Sequence, residues 1–348
     1  MISRTLTLVL LTGLLAPTAC KAPDGGDRVA FLLATLQEER YQKDKRYFEE
    51  RAKDLGLNVT TLAADNSNVR QLAQLEDALT RGAKVVVIQP TDSAAARRYL
   101  KIAHRRGAKV IAYDRAIFSK DLDFYVSHDS YQVGVLQAKA ALAHTKGKGN
   151  FVILSGQAGH SVANEITRGY KDTLQPYLDR GDIKIVLEQS HSSWSPEQAL
   201  RSVEDAIART KGSINAILAN NSGMARGAVR AITTAKISDV FIAGADADAV
   251  NVNLVCEGKQ SVEVLKDIKP LANRAAEVAA AFIKKESLPK GSTIQLGGGP
   301  VPLAAVRVGL VTPNTVKELL VDSGFFKKGD LPACAGKLAF NNTPNTHP

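Results

Sequence analysis

The stretch KVVVIQPTDSAAARRYLKIAHRRGAKVIAYD, residues 84–114, decides the fold of this chain. It contains two continuous apolar runs, 84–90 and 109–114, on either side of a helix-length segment that ends at Gly107. Continuous apolar runs are typical of strands buried on both faces, and a helix between two of them connects parallel neighbours. The stretch therefore predicts a β-α-β unit of a parallel sheet.

Similar apolar runs continue on both sides of this unit, mostly with helix-length segments between them. They are VAFLLA (29–34), NVTTLA (58–63), FYVS (124–127), NFVILSG (150–156), IKIVLEQ (183–189), NAILAN (215–220), VFIAGAD (240–246) and the short SVEVL (261–265). The pattern restarts near Gly149. We therefore expect an α/β protein of two similar halves, with a Gly- and Pro-rich connector at 289–311 and a flexible tail at 336–348.

Residues 1–19 are typical of a bacterial export signal, with Arg4 before an apolar run that is too short to span a bilayer. Cys20 follows a small residue, which predicts lipidation of Cys20; the alternative is ordinary cleavage nearby, with Cys20 lost or left as a free thiol. Residues 20–27 suit a tether. The expected location is the periplasm or the outer face of the cell membrane.

The remaining cysteines, Cys256 and Cys334, form an even pair if Cys20 is lipidated. In an oxidising compartment such a pair forms a disulfide or stays as two buried thiols, and the sequence separation does not decide between them.

Charge and motifs exclude several classes of function. The formal net charge is +10, but Lys and Arg alternate with acidic residues and no basic block with interleaved aromatics occurs, so nucleic acid is not an expected partner. The chain lacks HExxH, paired-histidine and G-x-S-x-G motifs, and the GGG at 297–299 does not open a helix after a strand. We predict no catalytic residue, no metal site and no cofactor.

Polar and aromatic side chains collect just after the predicted strands, where open parallel sheets bind ligands. Together with neighbouring candidates they are Arg40, Tyr41, Lys43, Asp114, Arg115, His160, Asn164, Trp194, Asn221, Asp246 and Lys266. Carboxylate, amide and guanidinium groups offer hydroxyls both acceptors and donors, and an aromatic ring suits the C–H face of a sugar. The pattern predicts a sugar site, with the single tryptophan, Trp194, as its platform.

Six segments of the chain resemble the type I periplasmic sugar-binding proteins, and among them the D-xylose-binding proteins. They are ERYQKD (39–44), AYDR (112–115), DFYVS (123–127), the WxPExAL element (194–200), GADAD (244–248) and LANRAAEVA (271–279). The resemblance implies two Rossmann-like lobes, 28–128 with 267–300 and 129–266 with 301–335, joined by a three-crossover hinge. Such lobes close on one monosaccharide and deliver it to an ABC permease.

The resemblance also implies a role for each candidate side chain. Arg40 and Lys43 would contact sugar hydroxyls, Asp114 and Arg115 would form a charged clamp, Tyr41 and Trp194 would stack on the ring, Asn164, Asn221 and Asp246 would bond hydroxyls from the second lobe, and Lys266 would act at the hinge. His160 and Ser222 stand where relatives have Asp, so D-xylose and similar aldoses stay open as ligands. His160 is either a ligand contact or a solvent-exposed loop residue.

The sequence favours the hypothesis that the protein is a monomeric solute-binding protein, which makes and breaks no covalent bond. Two alternatives remain at this point: a sugar sensor that presents its closed form to a chemoreceptor or histidine-kinase ectodomain, and an exported sugar-active enzyme.

Overall fold

Two separate sheets of mostly parallel strands divide the chain into two lobes. A computed structural model describes residues 28–37, 39–289 and 291–338. The predicted export signal, the tether and Cys20 therefore lie outside the described residues. Within those ranges, none of the helices has the length and apolar character needed to cross a membrane.

The elements alternate between strand and helix through most of the chain. The strands are β1 (Arg28–Leu33), β2 (Asn58–Ala63), β3 (Val85–Ile88), β4 (Lys109–Tyr113), β5 (Phe124–His128), β6 (Gly149–Ser155), β7 (Ile183–Ser190), β8 (Ala216–Ala219), β9 (Phe241–Ala245), β10 (Val262–Lys266), β11 (Ser292–Leu296), β12 (Gly299–Val306) and β13 (Val308–Val311). The helices are α1 (Glu39–Asp54), α2 (Asn68–Thr80), α3 (Arg97–Arg105), α4 (Ser130–Thr145), α5 (Ser161–Asp179), α6 (Pro196–Thr210), α7 (Ser222–Thr234), α8 (Ala249–Cys256), α9 (Ile268–Lys284) and α10 (Ala335–Leu338).

The first lobe contains the sheet β11-β12-β5-β4-β3-β1-β2, and the second contains the sheet β13-β10-β9-β8-β6-β7. Pairing is parallel except for β11 with β12 and β10 with β13. The apolar runs that predicted strands are buried on both faces, as β3 illustrates with four buried residues in succession. One face of the first sheet packs on α1 and α9 and the other on α2 and α3. The predicted α/β class is confirmed.

The chain passes between the lobes three times, at Asp129, Asp267 and Arg307. The first two crossings match the predicted boundaries. The third differs, because the predicted boundary at 300/301 falls inside β12. Since β12 pairs with β5 from Leu303 to Val306, it belongs to the first lobe throughout.

The segment 289–311, predicted as a connector, instead contains three strands. Gly297 and Gly298 have φ values of 57° and 88° and form the two-residue turn of the hairpin between β11 and β12. Prolines lack the N–H that a strand donates, and Pro300 and Pro302 both precede the part of β12 that pairs with β5. The hairpin therefore tolerates a composition that is typical of loops.

The C-terminal segment folds against the second lobe. The predicted tail from 336 onward begins too early, because Leu338 is buried with Phe326 and Leu331 in an apolar cluster at the end of the chain. Cys334 lies in the same cluster and forms a disulfide with Cys256, with 5.1 Å between their Cα atoms. Residues 339–348 lie outside the described residues.

Candidate ligand-binding site

The two lobes meet over a narrow cavity of about 20 Å³ at the carboxyl ends of both sheets. The first lobe contributes Arg40, Tyr41, Asp114 and Arg115, the second contributes Val162, Trp194, Asn221 and Asp246, and Lys266 comes from the end of β10 at the second crossover. Eight of these nine side chains were predicted from their positions after strands, which is where parallel sheets bring side chains together.

Backbone geometry at two strand ends aims carboxylates into the cavity. Asp114 follows β4 with a φ of 61°, and Asp246 follows β9 with a φ of 99°. Left-handed backbone is costly for a residue with a Cβ and persists only where its surroundings hold it. The backbone of Asp114 is held in this way by the Tyr125 and Ser127 hydroxyls, which donate to the Asp114 carbonyl oxygen at 2.8 and 2.9 Å.

A charged network crosses the cavity from one lobe to the other. The Arg40 guanidinium donates to Asp114 Oδ1 at 3.2 Å and to Asp246 Oδ1 at 3.3 Å. Lys266 Nζ lies 3.2 Å from Asp246 Oδ1 and 3.9 Å from Asp114 Oδ1. Two cations and two carboxylates thus alternate, and Arg40 joins the lobes directly.

Asp114 and Arg40 keep their charges although both side chains are buried. Burial by itself raises the pKa of Asp114, but Arg40 and Lys266 hold that pKa well below its usual range. Burial likewise lowers the pKa of Arg40, and the neighbouring Asp114 and Asp44 carboxylates outweigh that effect. The cavity therefore presents a fixed carboxylate beside a fixed guanidinium.

Three further side chains support the network from behind. Asp44 accepts from Arg40 Nε at 3.4 Å and from the Tyr113 hydroxyl, and burial raises the pKa of Asp44 to about 6. Gln89 donates to Asp114 Oδ2 at 3.2 Å. None of the three was among the predicted site residues, although Gln89 directly follows β3, the kind of position from which the other site residues were predicted.

Arg115 and two aromatic rings form the rest of the wall. The Arg115 guanidinium donates to the Tyr41 hydroxyl and to the Pro90 carbonyl oxygen, both at 3.3 Å. Tyr41 and Trp194 are nearly buried and come from opposite lobes. Asn221 caps α7 by accepting from Met224 N through Oδ1, so its amide nitrogen is the group left for a ligand.

Three predicted residues do not line the cavity. Lys43 Nζ instead lies over the rings of Phe325 and Phe326, at 4.8 and 4.5 Å from their centroids, and so links α1 to the C-terminal segment. Asn164 is exposed on the outer side of α5 and lines a different surface groove. His160 is neither solvent-exposed nor a cavity wall: it is buried and bonds to Trp194.

Val162 is the cavity residue that was not predicted from the sequence pattern. It lies in the first turn of α5, between His160 and Asn164, and is the aliphatic side chain among charged, amide and aromatic ones. Because the prediction considered polar and aromatic side chains after strands, it did not include this aliphatic residue. Its presence makes one part of the wall apolar.

The turn that carries Asp246 rests on a buried carboxyl group, Glu263. Its oxygens accept from Gln260 Nε2 at 2.6 Å and from the Ala247 backbone N–H at 3.1 Å, and Oε2 lies 2.9 Å from Ser222 Oγ. Burial raises the pKa of Glu263 from its usual 4.5 to about 8. Glu263 is thus a neutral acid at pH 7.

We expect Glu263→Gln to flatten the pH dependence of stability. Between about pH 4.5 and 8 the folded chain holds a proton that the unfolded chain has released. The contribution of Glu263 to the free energy of unfolding therefore falls as pH rises through this window, by up to about 1.4 kcal/mol per pH unit. Urea denaturation of both proteins at about pH 5 and pH 7 measures the two slopes. Equal slopes would contradict a protonated Glu263.

The chain has two α/β lobes with mostly parallel sheets, it crosses between them three times, and a cavity with charged and aromatic walls lies where they meet. These features are those of a two-lobed solute-binding protein. Among the described residues no cluster of three His, Cys, Asp or Glu could hold a metal ion. The chain matches the family model of the periplasmic binding protein domain over residues 29–287 and belongs to this family, in its type I fold.

Curated and solved relatives agree with this assignment. The chain is 34% identical to a D-xylose-binding periplasmic protein of Escherichia coli K12, over 94% of this chain and 99% of that protein. A carbohydrate transporter solute-binding protein of Chloroflexus aurantiacus in complex with D-glucose is 29% identical with a TM-score of 0.81, covering 87% of this chain and 98% of that one. An ABC transporter solute-binding protein of Clostridium phytofermentans with bound β-D-glucose is 28% identical at the same TM-score, covering 87% and 99%. The relatives and the fold are those of binding proteins, not of enzymes.

Proposed function

We propose that this protein captures one monosaccharide between its lobes and delivers it to an ABC permease. The observation that carries the proposal is the alternation of cations and carboxylates around the cavity, with Asp246 Oδ1 within 3.3 Å of both Arg40 and Lys266. A hydroxyl placed there accepts from a cation and donates to a carboxylate at the same time. A neutral polyhydroxylated ligand uses both halves of such a network.

The aromatic walls favour a pyranose ring. Tyr41 and Trp194 come from opposite lobes, so closing the lobes brings a ring toward each face of a flat ligand. The two relatives with bound glucose support this class of ligand, and their names as transporter solute-binding proteins support delivery to a permease.

D-Xylose is our first choice among aldopyranoses. Both ring nitrogens of His160 are engaged by protein groups, and Val162 turns an apolar surface toward the ligand. A hydroxyl against that wall would lose its hydrogen bonds to water without replacement. The C5 methylene of xylopyranose carries no hydroxymethyl group, which suits this wall, and the xylose-binding relative supports the same choice.

The proposed location is the periplasm, supported by the relatives, with residues 1–19 as the export signal and Cys20 as a lipid anchor. The intact mass of the mature chain tests both features together: acyl groups on an N-terminal Cys20 are expected, and an unmodified terminus elsewhere would contradict the anchor.

A thermal-shift panel of D-xylose, D-glucose, L-arabinose, D-ribose and a polyol tests the proposed ligand class. A ligand at 100 times its dissociation constant adds about 2.7 kcal/mol of stability, which raises the melting temperature by several degrees. We expect the largest rise with D-xylose. Another aldose binding at least tenfold more tightly would overturn the choice of D-xylose, and no shift with any sugar would overturn the sugar-binding proposal.

Trp194→Ala is expected to weaken sugar binding by about 2 kcal/mol or more, because it removes one of the two aromatic faces. In the unaltered protein the emission of this single tryptophan should shift when sugar is added. Calorimetry measures the affinities. Tyr131→Ala is the control: its ring lies on the surface of the same lobe, near Arg168 and Asp172, and its loss should leave affinity unchanged. If Trp194→Ala and the unaltered chain bind sugar with equal affinity, Trp194 does not contact the sugar.

A further inference from the structure

We propose that His160 is a positioning residue that orients the Trp194 ring for the ligand, and that it does so only when the lobes are closed. The inference rests on the proposed function and deepens it. His160 lies at the N-terminus of α5, buried behind the cavity wall, and each of its ring nitrogens meets a group from a different lobe.

The hydrogen bonds assign the state of the His160 ring. The Trp194 indole N–H donates to Nδ1 at 3.0 Å, so Nδ1 is an acceptor and the proton lies on Nε2. Nε2 then donates to the Thr91 carbonyl oxygen at 3.0 Å. A neutral imidazole with this one tautomer satisfies both contacts. Burial and the nearby Arg115 lower the pKa of His160 to about 3, which agrees with the neutral form.

Trp194 needs such an external support. Ser193 and Trp194 have φ values of 52° and 57°, two successive residues in the left-handed region that favours glycine. The ring packs closely against Gly156, where a Cβ would come within 2.5 Å of ring atoms. The absence of a side chain at Gly156 therefore leaves room for the ring, and His160 fixes the direction of its N–H edge.

The support depends on closure because Thr91 belongs to the first lobe and His160 to the second. Thr91 is a rigid acceptor site: its backbone N–H donates to Gln71 Oε1 at 2.9 Å, next to the end of β3. Separation of the lobes breaks the His160–Thr91 bond and leaves the imidazole free to turn. The orientation of the aromatic platform is thus coupled to the closed state that holds the ligand.

Two substitutions at His160 test this coupling. His160→Gln keeps an acceptor and a donor about as far apart as the two ring nitrogens, whereas His160→Leu keeps neither. We expect His160→Leu to bind the tightest sugar of the panel about tenfold more weakly, the cost of a lost buried hydrogen bond, with a smaller change in Trp194 emission and anisotropy on binding. His160→Gln should restore affinity to within about threefold and restore the fluorescence response.

A double-mutant cycle by calorimetry isolates the Trp194 contact. Trp194→Phe removes the N–H but keeps an aromatic ring, so His160→Leu should cost at least about threefold less affinity in that background. If His160→Leu does not fold, His160→Gln and Trp194→Phe still test the role of His160. A His160→Gln variant whose Trp194 emission and anisotropy do not change on binding would refute the inference. Unaltered affinity and fluorescence in His160→Leu would refute it too. Failure of the unaltered protein to bind any sugar would instead refute the proposed function.

Discussion

Asp114→Ala is expected to weaken sugar binding by at least a hundredfold, or about 3 kcal/mol or more. Asp114 is 2% exposed and accepts from Arg40 and Gln89, with Lys266 at 3.9 Å. Its removal leaves two buried cations with one carboxylate fewer and takes away an acceptor for the sugar. Calorimetric titration with the preferred sugar measures the loss.

Ser222→Ala is the matched control for this experiment. Ser222 is equally buried at the start of α7, but it bonds to Glu263 and to the Ala245 carbonyl oxygen and does not line the cavity. We expect its affinity for sugar to change by less than about threefold, with the effect confined to stability. Equal losses of affinity in the two variants would contradict the central place of Asp114.

Removal of the disulfide is expected to lower the free energy of unfolding by about 4 kcal/mol. The bond joins Cys256 to Cys334 across 78 residues of sequence, so it closes a long loop of the unfolded chain. The double variant Cys256→Ser with Cys334→Ser and the unaltered protein in reductant should denature at the same, lower urea concentration. Unaltered stability after reduction would contradict a disulfide in the folded protein.

Much of this site could be predicted because parallel strands end together. Asp114, Asp246 and Lys266 each lie at or directly after a strand that the apolar runs had located. The second sheet brings Lys266 Nζ to 3.2 Å from Asp246 Oδ1, and the meeting of the lobes places Asp114, from the first sheet, 3.9 Å from Lys266. The apolar runs settled the fold class for the same reason: a strand buried on both faces needs a continuous apolar run.

Other features depend on where a helix begins. His160, Val162 and Asn164 follow the same strand, yet only Val162 faces the cavity, because α5 starts at Ser161 and each successive residue turns by about 100°. Lys43 follows Arg40 by nearly one turn of α1, about 4.5 Å further along the helix axis, and its side chain reaches Phe325 instead of the cavity. If a helix began one residue earlier or later, a different side chain would face the cavity. Sequence patterns do not locate the first residue of a helix to within one residue.

The hairpin of β11 and β12 was misread for a compositional reason. Glycine and proline usually mark loops, but here two glycines form the turn and the prolines precede the part of β12 that pairs with β5. The pairing with β5 is a long-range contact that local composition does not reveal.

Calorimetric titration of the intact protein with D-xylose is the decisive measurement for a monosaccharide site between the lobes. We expect saturable binding of one sugar per chain, with the sugar recovered chemically unchanged afterwards. The Asp114→Ala variant, titrated under the same conditions, should show no comparable heat of binding. Absence of saturable binding for D-xylose and for every other aldose of the panel would contradict the account of this cavity as a monosaccharide site.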